Sequence, residues 1–134
     1  MHPPGHYAER DRGMGDCLFA NVALAARYAQ RQWDLRRIAI VDWDERHGNG
    51  TQSAFYDDDS VLFISVHQDN LYPAGTGKVS DTGEGKGLGY TINIPLPPGT
   101  GEGGYASAFE RVIRPAIAAF KPELLLVYVA HHSH

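Results

Sequence analysis

At 134 residues with a formal net charge of −4, the chain is long enough for one domain with a buried core. It lacks the basic surface that a general nucleic-acid binder needs. Its longest apolar runs, such as residues 124–130, are far too short to span a bilayer, and no amino-terminal stretch has the charged-then-apolar plan of a signal peptide. The single cysteine, Cys17, excludes an intrachain disulfide framework and suits a reducing cytoplasm. The expectation is one cytoplasmic domain over residues 1–134 with neither nucleic-acid nor membrane partners.

Residues 2–14, rich in Pro, Gly and charge, read as loop. Over residues 17–32, Leu18, Val22, Leu24, Ala25 and Tyr28 recur near helical spacing, which predicts a helix. Ile38, Ala39, Ile40 and Val41 form an unbroken apolar run and predict a buried strand over 37–42. Gly48 and Gly50 break it, and residues 53–56 suit a helical turn. A second buried strand follows at 61–66. Residues 70–89 are Gly-rich and poor in apolar side chains, so a long loop is expected, of the kind that is usually functional or mobile. A third strand at 90–94 is closed by Pro95, Pro97 and Pro98. A helix over 105–120 begins after the glycines at 101–104, and Pro115 should end or kink it. A last strand covers 124–129, before His131-His-Ser-His. Continuous apolar strands separated by helices indicate α/β architecture: about four mainly parallel strands between two helical layers.

Residues 40–51, Ile-Val-Asp-Trp-Asp-Glu-Arg-His-Gly-Asn-Gly-Thr, carry the most chemistry. In a strand, the i, i+2 spacing puts Asp42 and Asp44 on one face, at the carboxyl end where open α/β sheets build their sites. Residues 83–89 invite a phosphate-loop reading, but they lack the strand–loop–helix context and the Gly-Lys-Ser/Thr ending of such loops. Trp33 and Trp43 read as packing residues, and Cys17 as a small buried hydrophobe.

Several segments together resemble the histone deacetylase superfamily, in its bacterial deacetylase-like amidohydrolase and acetylpolyamine amidohydrolase branch. They are Pro-Pro-Gly-His-Tyr-Ala-Glu-Arg-Asp-Arg at 3–12, Met-Gly-Asp-Cys-Leu-Phe-Ala-Asn-Val at 14–22, and Val-Asp-Trp-Asp-Glu-Arg-His-Gly-Asn-Gly-Thr-Gln at 41–52. Val-Leu-Phe-Ile-Ser-Val-His-Gln-Asp at 61–69, Gly-Glu-Gly-Lys-Gly at 83–87 and Asn-Ile-Pro-Leu-Pro-Pro-Gly-Thr-Gly at 93–101 complete the set. The resemblance covers nearly the whole chain in the family's order, and it implies an arginase/deacetylase-like three-layer fold of which this is a shortened, central portion. It also implies a Zn²⁺ held by Asp, His and Asp that activates water against an acetylated amine, either acetyl-lysine or an acetylated polyamine. Two tandem histidines move the proton and a later tyrosine stabilises the oxyanion.

Carried onto this chain, the resemblance leaves Asp44 as the first zinc ligand, Arg46 where the second is histidine, and His132 where the third is aspartate. His6 keeps the first tandem histidine and Asp42 its orienting carboxylate, while Tyr7 replaces the second. Asp16 replaces an aromatic residue of the substrate tunnel, Glu45 stands at an apolar position, and Cys17 matches a cysteine near the metal. The region supplying the tyrosine lies beyond the match. A guanidinium offers no lone pair to a metal, so loss of zinc deacetylation is expected. A family site for potassium or sodium matches Asp42, Asp44, Ser65 and His67 and needs no histidine side chain at position 46.

Two accounts of His6, Tyr7, Asp16, Glu45 and Arg46 stay open: a rebuilt polar pocket, or a dead one repaired by ion pairs. Asp44 and His132, with His131 or His134, read as a different metal site, or else residues 131–134 are a free terminus. Changes confined to the old site fit pseudo-enzyme drift or deliberate engineering. A non-catalytic scaffold or binding domain is the alternative to an amidohydrolase, and a homodimer through an unpaired sheet edge is expected.

Overall fold

The computed structural model describes residues 21–69, 71 and 75–129. Strands β1 (Ile38–Trp43), β2 (Val61–Gln68), β3 (Thr91–Leu96) and β4 (Leu124–Tyr128) form one sheet in the order β3-β2-β1-β4, and every pairing is parallel. Helices α1 (Asn21–Trp33) and α2 (Asn49–Phe55) cover one face, where Ala23, Ala26, Ala29 and Phe55 pack on Ile38, Ile40, Val61 and Phe63. The other face carries α3 (Glu102–Ala108), a π-helical turn (Phe109–Ile113) and α4 (Arg114–Phe120). There Ile113, Ala116, Ile117 and Phe120 meet Ala39, Val41, Leu62, Ile64 and Val66. The α/β/α sandwich with four parallel strands is the expected fold, and a parallel sheet needs this cover on both faces.

Connections from β1 through β2 to β3 run one way across the sheet, and β4 returns to the far side of β1. The carboxyl end of β1 is therefore a topological switch point, where the loops of an open α/β sheet diverge and leave a crevice. Alternation along β1 separates its side chains by face: Asp42 follows Ile38 and Ile40 toward the α1/α2 layer, and Trp43 follows Ala39 and Val41 toward the α3/α4 layer.

Several local expectations are revised. The face of α1 against the sheet is its alanines, while Leu24, Tyr28 and Trp33 are exposed. Trp33, 66 % exposed, rests edge-on against Tyr28 and does not pack in the core. Helical spacing alone could not tell which stripe of α1 faces inward, because small residues let the helix approach the sheet closely. Helix α2 begins at Asn49, four residues before the expected turn, with Gly48 as its N-cap. Strand β3 runs through Pro95 because it is an edge strand, where a residue without an N–H is tolerated. Helical structure continues to Phe120, while at Pro115, as expected, the regular α-helix is interrupted locally. The π turn immediately before it relieves the clash and missing hydrogen bond that proline imposes on a regular helix. None of the described helices is long and apolar enough to cross a membrane.

The α1 layer is tied to the α2–β2 connection by Arg27, which pairs with Asp58 at 2.7 Å and lies 4.6 Å from the centre of the Phe55 ring. Gln30 donates to Ser60 Oγ, and the Ser60 N–H and hydroxyl both donate to Asp58 Oδ1. Burial alone would raise the Asp58 pKa, but the Ser60 hydrogen bonds and Arg27 outweigh it and hold the carboxyl below its ordinary 3.8. A depressed carboxylate stabilises the fold above its unfolded pKa, and that contribution disappears as pH falls through the folded value. Asp58→Asn is therefore expected to lower the urea midpoint near neutral pH. The gap to the unmutated chain should close below pH 3.8, as measured by denaturation at both pH values.

Candidate functional site

Asp42, Ser65 and Asn93 lie side by side across three strands, because β1 pairs Asp42 with Ser65 and β2 pairs Ser65 with Asn93. His67 lies two residues further along β2 on the same face, and Asp44 follows the end of β1. All five side chains are buried. The apolar α1/α2 face of the sheet thus becomes polar where the strands end.

Hydrogen bonds fix the state of both imidazoles in this layer. His67 Nε2 lies 2.9 Å from the Gly77 carbonyl, which can only accept, so Nε2 carries the hydrogen and Nδ1 accepts from the Ser65 hydroxyl at 2.9 Å. Burial pushes the His67 pKa below its ordinary 6.5, against weaker opposing effects of the Gly77 carbonyl and Asp69, and the ring is neutral. His47 Nε2 meets Gln52 Oε1 at 2.9 Å, and Asn93 Nδ2 donates to the same oxygen at 2.8 Å. Two donors on one atom identify it as the amide oxygen, so His47 also carries its hydrogen on Nε2, with Nδ1 facing Thr76 Oγ1 at 2.9 Å. The two rings lie 4.9 Å apart, centre to centre. Asn93 Nδ2 also reaches the Asp81 carbonyl at 3.1 Å. The network therefore clamps the Gly-rich loop after β2 onto the strand ends.

Arg46 is half-buried beside this layer. Its backbone N–H donates to Asp44 Oδ1 at 3.1 Å, and its Nε is buried without a hydrogen-bond partner among the described residues. Glu45 accepts from the Gln68 N–H at its carbonyl. On the opposite face, Trp43, Tyr105 and Phe109 line an open cleft of about 690 Å³. Burial, then the Glu45 and Asp44 carboxylates, raise the Tyr105 phenol above its ordinary 10.

The structure thus brings Asp42, Asp44, Ser65 and His67 together at one end of the sheet, with Glu45 and Arg46 in the bend that follows β1. His6, Tyr7, Asp16, Cys17 and His132 lie outside the described residues. His47, Gln52, Thr76 and Asn93 are participants that sequence reasoning missed. Asn93 was the available signal, a polar residue between Ile92 and Ile94 in an otherwise apolar strand.

The sequence profile of the histone deacetylase domain matches residues 1–132. The chain belongs to the histone deacetylase family. Similar proteins include "Histone deacetylase 14, chloroplastic" of Arabidopsis thaliana, 50% identical over all 134 residues and 31% of that protein's length. A "Histone deacetylase-like amidohydrolase" of Pseudomonas aeruginosa is 45% identical over 125 residues, 93% of this chain and 33% of the other. Among solved structures, an acetylpolyamine aminohydrolase from Burkholderia pseudomallei superposes with a TM-score of 0.89 at 36% identity, over 95% of this chain and 37% of the other. This deacetylase-family chain spans about a third of the length of the relatives it matches.

A family zinc ion does not fit the donors in the described part of the site. Arg46 has no lone pair to give, and both nearby imidazoles already use each ring nitrogen in a hydrogen bond. Among the described residues, no three His, Cys, Asp or Glu side chains are grouped to hold a metal.

Gly77 makes the clamp sterically specific. Its φ is +73°, and a Cβ there would stand 2.5 Å from His67 Nε2 and 2.7 Å from His47 Cγ. Gly75 has a similar φ of +76°, but among the described residues nothing lies within 4 Å of a Cβ there. Gly75→Ala should therefore cost only the left-handed backbone penalty of about 1 kcal/mol. Gly77→Ala should cost about 2–4 kcal/mol, because overpacking adds to it. Urea denaturation of the two variants measures the difference.

Proposed function

We propose that this deacetylase-family sequence has lost the zinc-hydrolysis chemistry of the amidohydrolase class, so that it deacetylates acetyl-lysine or acetylpolyamine slowly or not at all. The carrying observation is Arg46, at the position where the family resemblance calls for a histidine zinc ligand. A guanidinium stays protonated and cannot coordinate a metal. His6 and Asp42 are then remnants of the proton relay, and Asp44 and His132 remnants of the ligand set. The family resemblance assigns Tyr7, Asp16, Cys17, Glu45 and Arg46 to the altered pocket.

Purification without added metal, followed by zinc analysis and an acetyl-lysine hydrolysis assay, tests this. Less than stoichiometric zinc and no turnover are expected. Stoichiometric zinc, with turnover abolished by Asp44→Ala, would overturn the proposal. Arg46→His restores an imidazole beside Asp44 and should tighten zinc binding by about tenfold or more.

The oxygen-rich strand end suits a monovalent cation better than zinc. Asp42 and Asp44 supply carboxylates, and the Ser65 hydroxyl, its hydrogen committed to His67, turns lone pairs outward. His67 then orients Ser65. Potassium or sodium in place of a bulky organic cation at equal ionic strength should raise Tm by roughly 4 °C or more. Ser65→Ala should remove most of that rise.

A second reading, a non-catalytic scaffold that self-associates, is favoured by β4. Among the described strands β4 is paired on one side only, the kind of bare edge that natural proteins usually cover, and Leu125 and Val127 on its face stay 46% and 57% exposed. Solution scattering should show a concentration-dependent dimer that Val127→Lys abolishes. A monomer at every concentration excludes this reading.

A further inference from the structure

We propose that the cleft between Trp43 and the α3–π segment binds a quaternary or methylated ammonium cation. Trp43, Tyr105 and Phe109 supply its aromatic walls and Glu102 and Glu110 its acidic rim. The cleft lies on the sheet face opposite the polar strand-end layer, so the proposal is independent of the fate of the zinc site. Its volume of about 690 Å³ is within the range of small-molecule sites.

Three observations identify the ligand class. First, the Trp43 ring lies 5.7 Å from Tyr105 and 6.4 Å from Phe109, at tilts of 38° and 61°. No ring is stacked flat on another, and all three line the same hollow. A cation within about 6 Å of several ring centres gains from each quadrupole. Methylated ammonium suits such walls because its charge is spread over an apolar surface.

Second, the charged side chains lining the cleft, Glu102 and Glu110, are both acidic. Glu110 shares one oxygen with Arg114 at 3.1 Å, which leaves Glu102 as the main rim charge. At the inner end, burial first and then the Glu45 and Asp44 carboxylates raise the Tyr105 phenol, so the nearby charges acting on it are also negative. A neutral ligand has no use for that field, and an anion would be repelled.

Third, Phe109 begins the π turn and stays 42 % exposed, although the neighbouring Ile113 is fully buried on the sheet. Single π turns within helices occur frequently at functional sites. Here the turn answers to Pro115, and it holds a large aromatic side chain on the cleft.

The two tryptophans allow a direct test on the full chain. Indole N–H signals are followed by NMR during titration with choline and with its neutral isostere, 3,3-dimethylbutan-1-ol. Choline is expected to shift the Trp43 signal, leave the Trp33 signal on the far layer unmoved, and bind about fivefold or more tighter than the isostere. Glu102→Gln should weaken choline without affecting the alcohol, and Phe109→Leu, at an exposed position that tolerates it, should weaken choline most. Equal binding of the two ligands would overturn the proposal and make the cleft a plain apolar surface. So would parallel movement of both indoles, or no shift at saturating choline.

Discussion

The parallel register between β1 and β2 is the constraint on which the rest of the molecule depends. With Asp42 opposite Ser65, every second residue of both strands faces the α1/α2 layer. Ile38, Ile40, Val61 and Phe63 on that face give way to Asp42, Ser65 and His67 at the strand ends. A slip of one residue would exchange the two faces completely. It would bury Trp43 among the carboxylates' partners and turn Asp42 into the α3/α4 core. Asp42, Ser65 and His67 oppose this, because a slip would carry their polar groups into the apolar α3/α4 face without their partners.

Burying so many polar groups in one layer demands that their hydrogen bonds be made inside it. Gln52 answers this by accepting from His47 and Asn93 at once, and the Gly77 carbonyl answers it for His67. These bonds hold the loop after β2 against the sheet, and they also decide the chemistry. An imidazole that donates from one nitrogen and accepts at the other has nothing left for a metal. The Ser65 hydroxyl is held in the same way, by donating to His67.

The opposite face follows a different logic. Trp43 leaves β1 one residue after Asp42 and enters an aromatic group, because α3 and the π turn bring Tyr105 and Phe109 to it. Pro115 is the sequence feature behind this geometry. It rules out a regular helix across positions 109–115, and the π turn is the accommodation found. Its consequence is seen at Phe109, not at the proline.

Strand positions, the parallel sheet, the family and the strand-end aspartates were legible from the sequence, because unbroken apolar runs and turn residues act over a few neighbouring positions. The inward face of α1 was not legible. Leu24, Tyr28 and Trp33 are more apolar than the alanines, yet Ala23, Ala26 and Ala29 let the helix come close enough to pack on Ile38 and Val61. The passage of β3 through Pro95 depended on its being an edge strand, and a strand's neighbours are not written in its own residues. The network of His47, Gln52, Thr76, His67 and Asn93 was likewise hidden, since it joins residues far apart along the chain. Local sequence determined the elements and the ancestry of the Asp42–Arg46 segment. Only tertiary packing decided which groups share a hydrogen bond, because burial, tautomer and partner are properties of an assembled layer and of no single segment.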